Sequence, residues 1–386
     1  MNSAQIEIQL IASLVAIACA IPGTFLVLRK MAMISDAISH SILPGIVIGF
    51  FITHDLNSPL LILFAAFTGI ITVILVEYIQ KTKLVKEDTA IGLVFPVLFS
   101  IGVLMIAKNA SDVHLDIDAV LLGELAFIPF DRLLISGIDI GPKSLWVIGC
   151  ILLITVILLI TFFKELKVST FDKGLAASLG FSPAIIHYGL MSISSITTVG
   201  AFDTVGAILV VALMIAPAAS AYLLTANLKK MLAFAVGFGI SSAISGYWLA
   251  YWMDASIAGS ITTILGVIFI LVYLLAPNKG LIAVSYREKQ QRTEVSLITF
   301  LLHLKNHDDT KERHVNHLKE HINWQTIRAR RVLELALQNN MITIEKNVVS
   351  LTKKGNVFAS KAIDYIITNE DSQIEDMKDD FFLFRA

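Results

Sequence analysis

The sequence predicts an all-α polytopic membrane protein, of eight or nine transmembrane helices, joined to a small α+β domain in water. Three observations carry that prediction. Of 386 residues, 56% are hydrophobic and only 16% charged, the balance of a chain whose main solvent is lipid. Apolar runs of spanning length recur at about 6–28, 31–54, 57–80, 89–107, 143–163, 184–201, 204–226, 230–252 and 257–276. Residues 285–386 then carry 16 Lys+Arg and 15 Asp+Glu, about half of the chain's 30 and 31. The expected organisation is a transmembrane domain at 1–284, a soluble domain at 285–369, and an acidic tail at 370–386 with the composition of disordered chain.

The first run has no basic stretch before it between Met1 and Leu10, so it reads as a retained span and not as a cleaved signal. Basic residues follow the first run (Arg29, Lys30), the third (Lys81, Lys83, Lys86), the fifth (Lys164, Lys167, Lys173), the seventh (Lys229, Lys230) and the last (Lys279, Arg287). With nine spans these lie on one side, which the positive-inside rule assigns to the cytoplasm, together with the C-terminal domain. Runs six and seven meet at Gly200-Ala201-Phe202-Asp203 with almost no loop, so eight spans with a re-entrant pair is the alternative. Cys19 and Cys150 fall in apolar runs and suggest neither a disulfide framework nor a zinc knuckle.

The second run carries the chemistry. Asp36 and His40 are four residues apart in an otherwise apolar stretch, which puts them on one face of a helix. A carboxylate in hydrocarbon is expensive and marks an ion path or ion site. If the span starts near Met31, His40 lies roughly 13–15 Å along it, near mid-membrane. Pro44, Gly45 and Gly49 follow, where a proline frees a backbone carbonyl and glycines admit a neighbouring helix. The competing reading is an Asp–His hydrogen bond that only fixes helix packing.

Other segments give weaker signals. Asp112, His114, Asp116 and Asp118 make an acidic outer segment that would concentrate cations. Residues 117–125 read as a short amphipathic or re-entrant helix, ended by Pro129 and Asp131. Residues 163–183 form an amphipathic stretch too polar to span, suited to the membrane surface or to a cytoplasmic partner. Asp203 is a second acid at a span end, either facing a lumen or capping a helix. Pro217, among small residues, predicts a kink or a close-packing site.

An energy source is missing. The nearest approach to a phosphate-binding loop, residues 137–144, has Pro142 between Gly141 and Lys143 and lies in the outer loop. The chain is therefore expected not to be an enzyme, and any ATP hydrolysis falls to another subunit. Ionisable groups deep in the spans are also sparser than the usual relay of a proton-coupled carrier, which ranks a proton-coupled metal carrier as a further alternative behind an ATP-driven one.

Residues 25–31 with Ser35 to Gly45, then His114-Leu115-Asp116, Leu122-Gly123-Glu124, Phe130-Asp131-Arg132, Thr170-Phe171-Asp172 and Val205 to Ala219, form an ordered series. The series resembles the metal-cation permease subunit of bacterial ABC importers for manganese, zinc or iron, over about residues 6–277. That resemblance implies a multi-pass subunit of the bacterial inner membrane, paired as a homodimer or with a second permease. It also implies a cytoplasmic ABC ATPase and an extracytoplasmic metal-binding protein as partners. Asp36 and His40 match the family's metal-coordinating positions, with Asp203 a further candidate. Thr170, Phe171, Asp172, Ala176 and Gly180 match its ATPase-coupling helix. The substrate it implies is a divalent metal, Mn²⁺ ahead of Zn²⁺ or Fe²⁺, with no permanently bound cofactor. One carboxylate and one imidazole do not by themselves choose among these metals.

The C-terminal extension reads as helices at 294–304, 313–321 and 324–338, a hairpin around Lys346-Asn347, and a helix from 352 to about 367. That order, and the stretch Leu351 to Ala359, resemble the winged helix of metal-dependent repressors of the diphtheria-toxin-repressor type. The resemblance raises a membrane-tethered transcriptional regulator as the alternative function, with Arg328, Arg330 and Arg331 as candidate DNA contacts. Against DNA binding stands a near-neutral domain. His314, His317 and His321 would share a helical face and could sense cytosolic metal; a solvated histidine-rich face is the plainer reading.

Overall fold

The first apolar run folds as one helix, α1 (Ser3–Leu28), in a computed structural model that describes residues 2–54, 58–109, 125–135, 138–306, 313–314 and 326–368. Its small residues Ala12, Ala16, Ala20 and Thr24 recur every four positions and are 0–2% exposed. They let neighbours approach closely, which matters because helices in lipid are held by contact and not by a hydrophobic drive. α1 is followed by α2 (Met33–Ser41), α3 (Leu43–Thr53), α4 (Pro59–Lys81), α5 (Glu87–Asn109), α6 (Lys143–Thr161), α7 (Phe163–Phe171), α8 (Lys173–Ser178), α9 (Pro183–Val205), α10 (Ala207–Leu224), α11 (Leu228–Met253) and α12 (Ile257–Leu275). α1 packs on α6, α9, α10 and α11, and is the central post of this unit.

Among the described residues, nine stretches are long and apolar enough to cross a membrane, α2 and α3 counting together as one. This favours nine spans over eight with a re-entrant pair. The junction of runs six and seven is at Gly206 (φ 80°, ψ 165°), not at Gly200–Asp203. The helix runs on through Asp203, Thr204 and Val205 until a residue without a side chain can take the positive φ. Pro217 lies inside α10, which is one continuous element. The 163–183 stretch is two short helices, not one, because Asp172 turns extended and caps the second.

The expected outer helix at 117–125 and the acids from Asp112 to Asp118 lie outside the described residues, apart from Leu125. Periodicity gave no sign of the next elements, a 3₁₀ turn at Ile128–Phe130 and an antiparallel hairpin of β1 (Arg132–Ile135) and β2 (Ile138–Pro142). Arg132 ties this hairpin together through Asp139 and reaches Glu7 of α1 at 3.4 Å. The Gly141 amide, with the Arg132 guanidinium beside it, holds the Asp139 carboxyl below the usual carboxylate range.

Residues 1–280 form one compact unit and 281–386 another. The second unit holds α13 (Leu281–Asn306), α14 (Thr326–Gln338), β3 (Ile342–Glu345), β4 (Val348–Leu351) and α15 (Lys353–Thr368). Leu297, Phe300, Leu301 and Leu304 of α13 cluster with Val332, Ala336, Ile342, Val349 and Ala359. α13 begins 13 residues before the expected start at 294, since the polar stretch Ser285–Thr293 interrupts the apolar stripe that periodicity could register. The hairpin turn falls on Lys346 and Asn347 (φ 48° and 67°), as expected, in the left-handed pair that a two-residue turn demands. Arg313 and His314 are not helical; His314 forms an isolated bridge with Val348, and the rest of the expected helix lies outside the described residues.

Candidate functional site

The span that carries Asp36 and His40 is broken in its middle. α2 has nine residues and α3 eleven, roughly 13 and 16 Å at the helical rise, which together just cross the hydrocarbon. Pro44 has no N–H to give, so the His40 carbonyl loses its usual helical donor at that break. Asp36 sits toward the N-terminal end of this half-helix and His40 in its last turn, the arrangement the helix dipole favours.

The rotation of α2 is set by its other faces. Ile34 and Ile38 are fully buried. Ser41 shares a hydrogen bond of 2.6 Å with Thr72 of α4, and the buried Ser39 hydroxyl donates to the Ser35 carbonyl at 3.0 Å. With those faces occupied, His40 turns toward Phe95 of α5, whose ring centroid lies 5.7 Å from the imidazole. The two side chains are 3.5 Å apart and 33% and 37% exposed, so a cation could reach both. Among the described residues no group of three or more histidines, cysteines or acids gathers at one point. The pair is a carboxylate and an imidazole open to solvent, two potential donors to a cation and no more.

Asp203 is not part of it. It lies in the last turn of α9, exposed, with Lys143 and Asp131 as its charged neighbours at the start of α6 and the hairpin.

The α7–α8 segment is built as a small rigid knob. The Asp172 carboxylate accepts the Leu175 N–H at 2.9 Å and starts α8. Ala176 is fully buried beneath it. Gly180 (φ 86°) then closes α8, with the Phe181 N–H on the Ala176 carbonyl. Phe171, Leu175 and Leu179 are left 59%, 49% and 57% exposed. Thr170 turns inward, its hydroxyl accepting from Arg29 Nε at 3.1 Å.

That last contact belongs to a polar cluster that sequence reasoning missed. Arg29 Nη1 meets His187 Nδ1 at 3.2 Å; His187 Nε2 in turn meets the Glu77 carboxylate, and Tyr188 donates to the same carboxylate at 2.9 Å. His187 and Glu77 are 11% and 15% exposed. A signal was present: Glu77 ends one apolar run and His187 starts another, both on the side marked by basic residues.

In the second unit, Arg328, Arg330 and Arg331 all fall on α14. Arg330 and Arg331 are exposed, and Arg330 pairs with Glu334 of its own helix at 3.1 Å. His314 sits in its bridge to Val348, whereas His317 and His321 lie outside the described residues.

Comparison with known proteins places this arrangement. A profile of the ABC 3 transport family matches residues 4–276. The zinc transport system membrane protein TroD of Treponema pallidum is 46% identical over 362 residues, 93% of this chain and 98% of that protein; the similarity thus runs well past Gly280. The manganese transport system membrane protein MntD of Bacillus subtilis is 42% identical over 281 residues, 73% of this chain and 95% of that protein. Among solved structures, PsaBC from Streptococcus pneumoniae in complex with Fab superposes with a TM-score of 0.61 at 27% identity, covering 72% of this chain and 94% of that one. The nine apolar spans and these matches together make the chain a multi-pass membrane protein that belongs to the ABC 3 transport family.

Proposed function

We propose that the chain is the permease subunit of an ATP-driven importer that carries a divalent metal, Mn²⁺ ahead of Zn²⁺ or Fe²⁺, across the bacterial inner membrane. The observation that carries this reading is the Asp36–His40 pair, one-third exposed on the half-helix that ends at the α2–α3 break. Two ligands per chain suit a path site, because a closed set of four would hold the ion too long to pass it on. The relatives' names, zinc for one and manganese for another, leave the metal open, and the donor set fits all three. Selection then rests with an extracytoplasmic metal-binding protein, and a second permease chain supplies the other half of the path. Proteoliposomes holding the assembled transporter should take up radiolabelled manganese only with ATP inside. Uptake of zinc or iron in preference, under equal free metal, would displace manganese from first place.

The α7–α8 knob is the surface we assign to the ATPase. Its exposed Phe171, Leu175 and Leu179 offer an apolar stripe, and Asp172, Ala176 and Gly180 keep it rigid. Leu175→Glu should leave the membrane unit folded but abolish co-purification with the ATPase. Intact co-purification would remove this surface from consideration.

The second unit is proposed as a cytoplasmic winged-helix-like regulatory module. Its order of helix, β-bridge, helix, hairpin and helix supports that reading. The match to MntD covers 95% of that protein with only 73% of this chain, which supports a membrane unit that transports without the extension. Deleting Leu281–Ala386 should therefore leave ATP-dependent uptake while flattening its dependence on metal already inside the vesicle. Lost uptake in a well-assembled deletion would make the unit part of the transport machinery instead.

A further inference from the structure

One guanidinium joins four elements of the membrane unit. Arg29, in the cap of α1, donates from Nε to Thr170 of α7 and from Nη1 to His187 of α9, which meets Glu77 of α4. Arginine has only donors, so His187 Nδ1 must accept and Nε2 must carry the proton that it gives to Glu77. A neutral imidazole thus bridges a cation and an anion, and both of its nitrogens are committed.

Two further features set Arg29 apart. The chain from Arg29 to Asp36 is short and stiff. Lys30 is left-handed (φ 61°), and the Met31 N–H bonds back to the Leu26 carbonyl at 2.9 Å. Any displacement of Arg29 must therefore reach the start of α2. In addition, Arg29 Nη2 is buried and has no partner among the described residues. So are Glu165 Oε2 and Ser169 Oγ on α7, the helix Arg29 already grips. Arg29 thus contacts the helix that carries an unpaired buried carboxylate oxygen while one of its own buried donors is unused, and pairing the two would remove both penalties.

We propose that Arg29 is the residue through which movement of the α7–α8 knob reaches the metal path, gripping Thr170 in this state and Glu165 in a second one. Glu165 and Thr170 lie five residues apart on α7, about 7.5 Å along its axis and about 140° around it, so the exchange needs a slide and a rotation of that order. Arg29 then draws the α1–α2 turn with it, and α2 carries Asp36 and His40 along. Because α2 ends at a break beside Pro44, it can move without dragging α3. Arg29 is a positioning residue: it touches no metal. The proposal rests on α7–α8 being the ATPase-coupling segment, as assigned above.

The test uses the full transporter with its ATPase in proteoliposomes, reading ATP hydrolysis and manganese uptake side by side. Arg29→Gln should keep hydrolysis within about twofold while uptake falls at least about tenfold, the loss expected when a coupling interaction is cut. His187→Leu should show the same split. His187→Gln, whose amide offers one acceptor and a donor as neutral imidazole does, should restore most uptake. The exchange Arg29→Glu with Glu165→Arg should recover uptake that either change alone loses. Hydrolysis and uptake falling in parallel in all of these variants would overturn the proposal, as would unchanged uptake in Arg29→Gln. If Arg29→Gln fails to assemble, the split between His187→Leu and His187→Gln decides by the same criteria. A wild-type complex with no ATP-dependent metal uptake would instead overturn the importer reading itself.

Discussion

Asp36→Asn and His40→Ala are each expected to lower manganese uptake roughly 100-fold at low external metal, since even outer partners of metal ligands are worth 10–100-fold. The two substitutions remove different things. Asparagine keeps the shape of Asp36 and a carbonyl oxygen but deletes the formal negative charge of the pair. Alanine at His40 deletes the imidazole beside it. Neither should unfold the chain, because both side chains are about one-third exposed and their mutual contact is 3.5 Å long. Pairs of this exposure contribute little to stability. The measurement is initial uptake against external metal concentration, normalised to the amount of assembled transporter. Wild-type uptake by both variants would leave the pair as a packing device and remove the path from this helix.

Gly23→Leu is expected to have the largest effect on folding. A Cβ at this position would lie 2.1 Å from the Met214 carbonyl oxygen and 2.8 Å from its carbon. These are backbone atoms of α10 and cannot rotate aside. Relief requires α1 and α10 to separate, which also opens the contacts around the buried Ala16, Ala20 and Met214. Overpacking of well-filled cores costs about 1–3 kcal/mol, and a clash with backbone belongs at the upper end. In membranes the loss is not offset elsewhere, because helix association rests on this close fit. Thermal unfolding of the detergent-solubilised protein should show a lower midpoint and a broadened transition. Gly189, whose Cβ would meet nothing within 4 Å, provides the control: Gly189→Ala should unfold like the wild type. An unchanged midpoint for Gly23→Leu would mean that α1 and α10 are not held at this distance.

Much of the membrane unit was readable from composition. Spans of about 20 apolar residues must become helices, as lipid offers no partner to an open backbone. The chain therefore had few alternatives once the runs were counted. The Asp36–His40 pair stands out in the sequence for a related reason: an acid in hydrocarbon is costly enough to be conspicuous by itself. The extension was read less well. Its hairpin turn falls on Lys346 and Asn347 as the sequence predicts, but α13 starts 13 residues before the predicted 294, since the polar stretch Ser285–Thr293 breaks the apolar stripe.

Sequence alone determined the place of the apolar runs, the acid–imidazole spacing of Asp36 and His40, and the proline that follows them, because each follows from local chemistry; whether the runs make eight spans or nine was decided by the helices themselves. Tertiary structure decided where these faces point. Serine and isoleucine contacts of α2 with its neighbours turn Asp36 and His40 outward, and Asp203, alike in composition, falls beside Lys143 and outside their reach. It also gathered Arg29, Glu77, Thr170 and His187, whose positions span 158 residues of chain. No periodicity connects such residues. Only the packing of α1, α4, α7 and α9 brings them within hydrogen-bond distance, where each satisfies a polar group that its own helix could not.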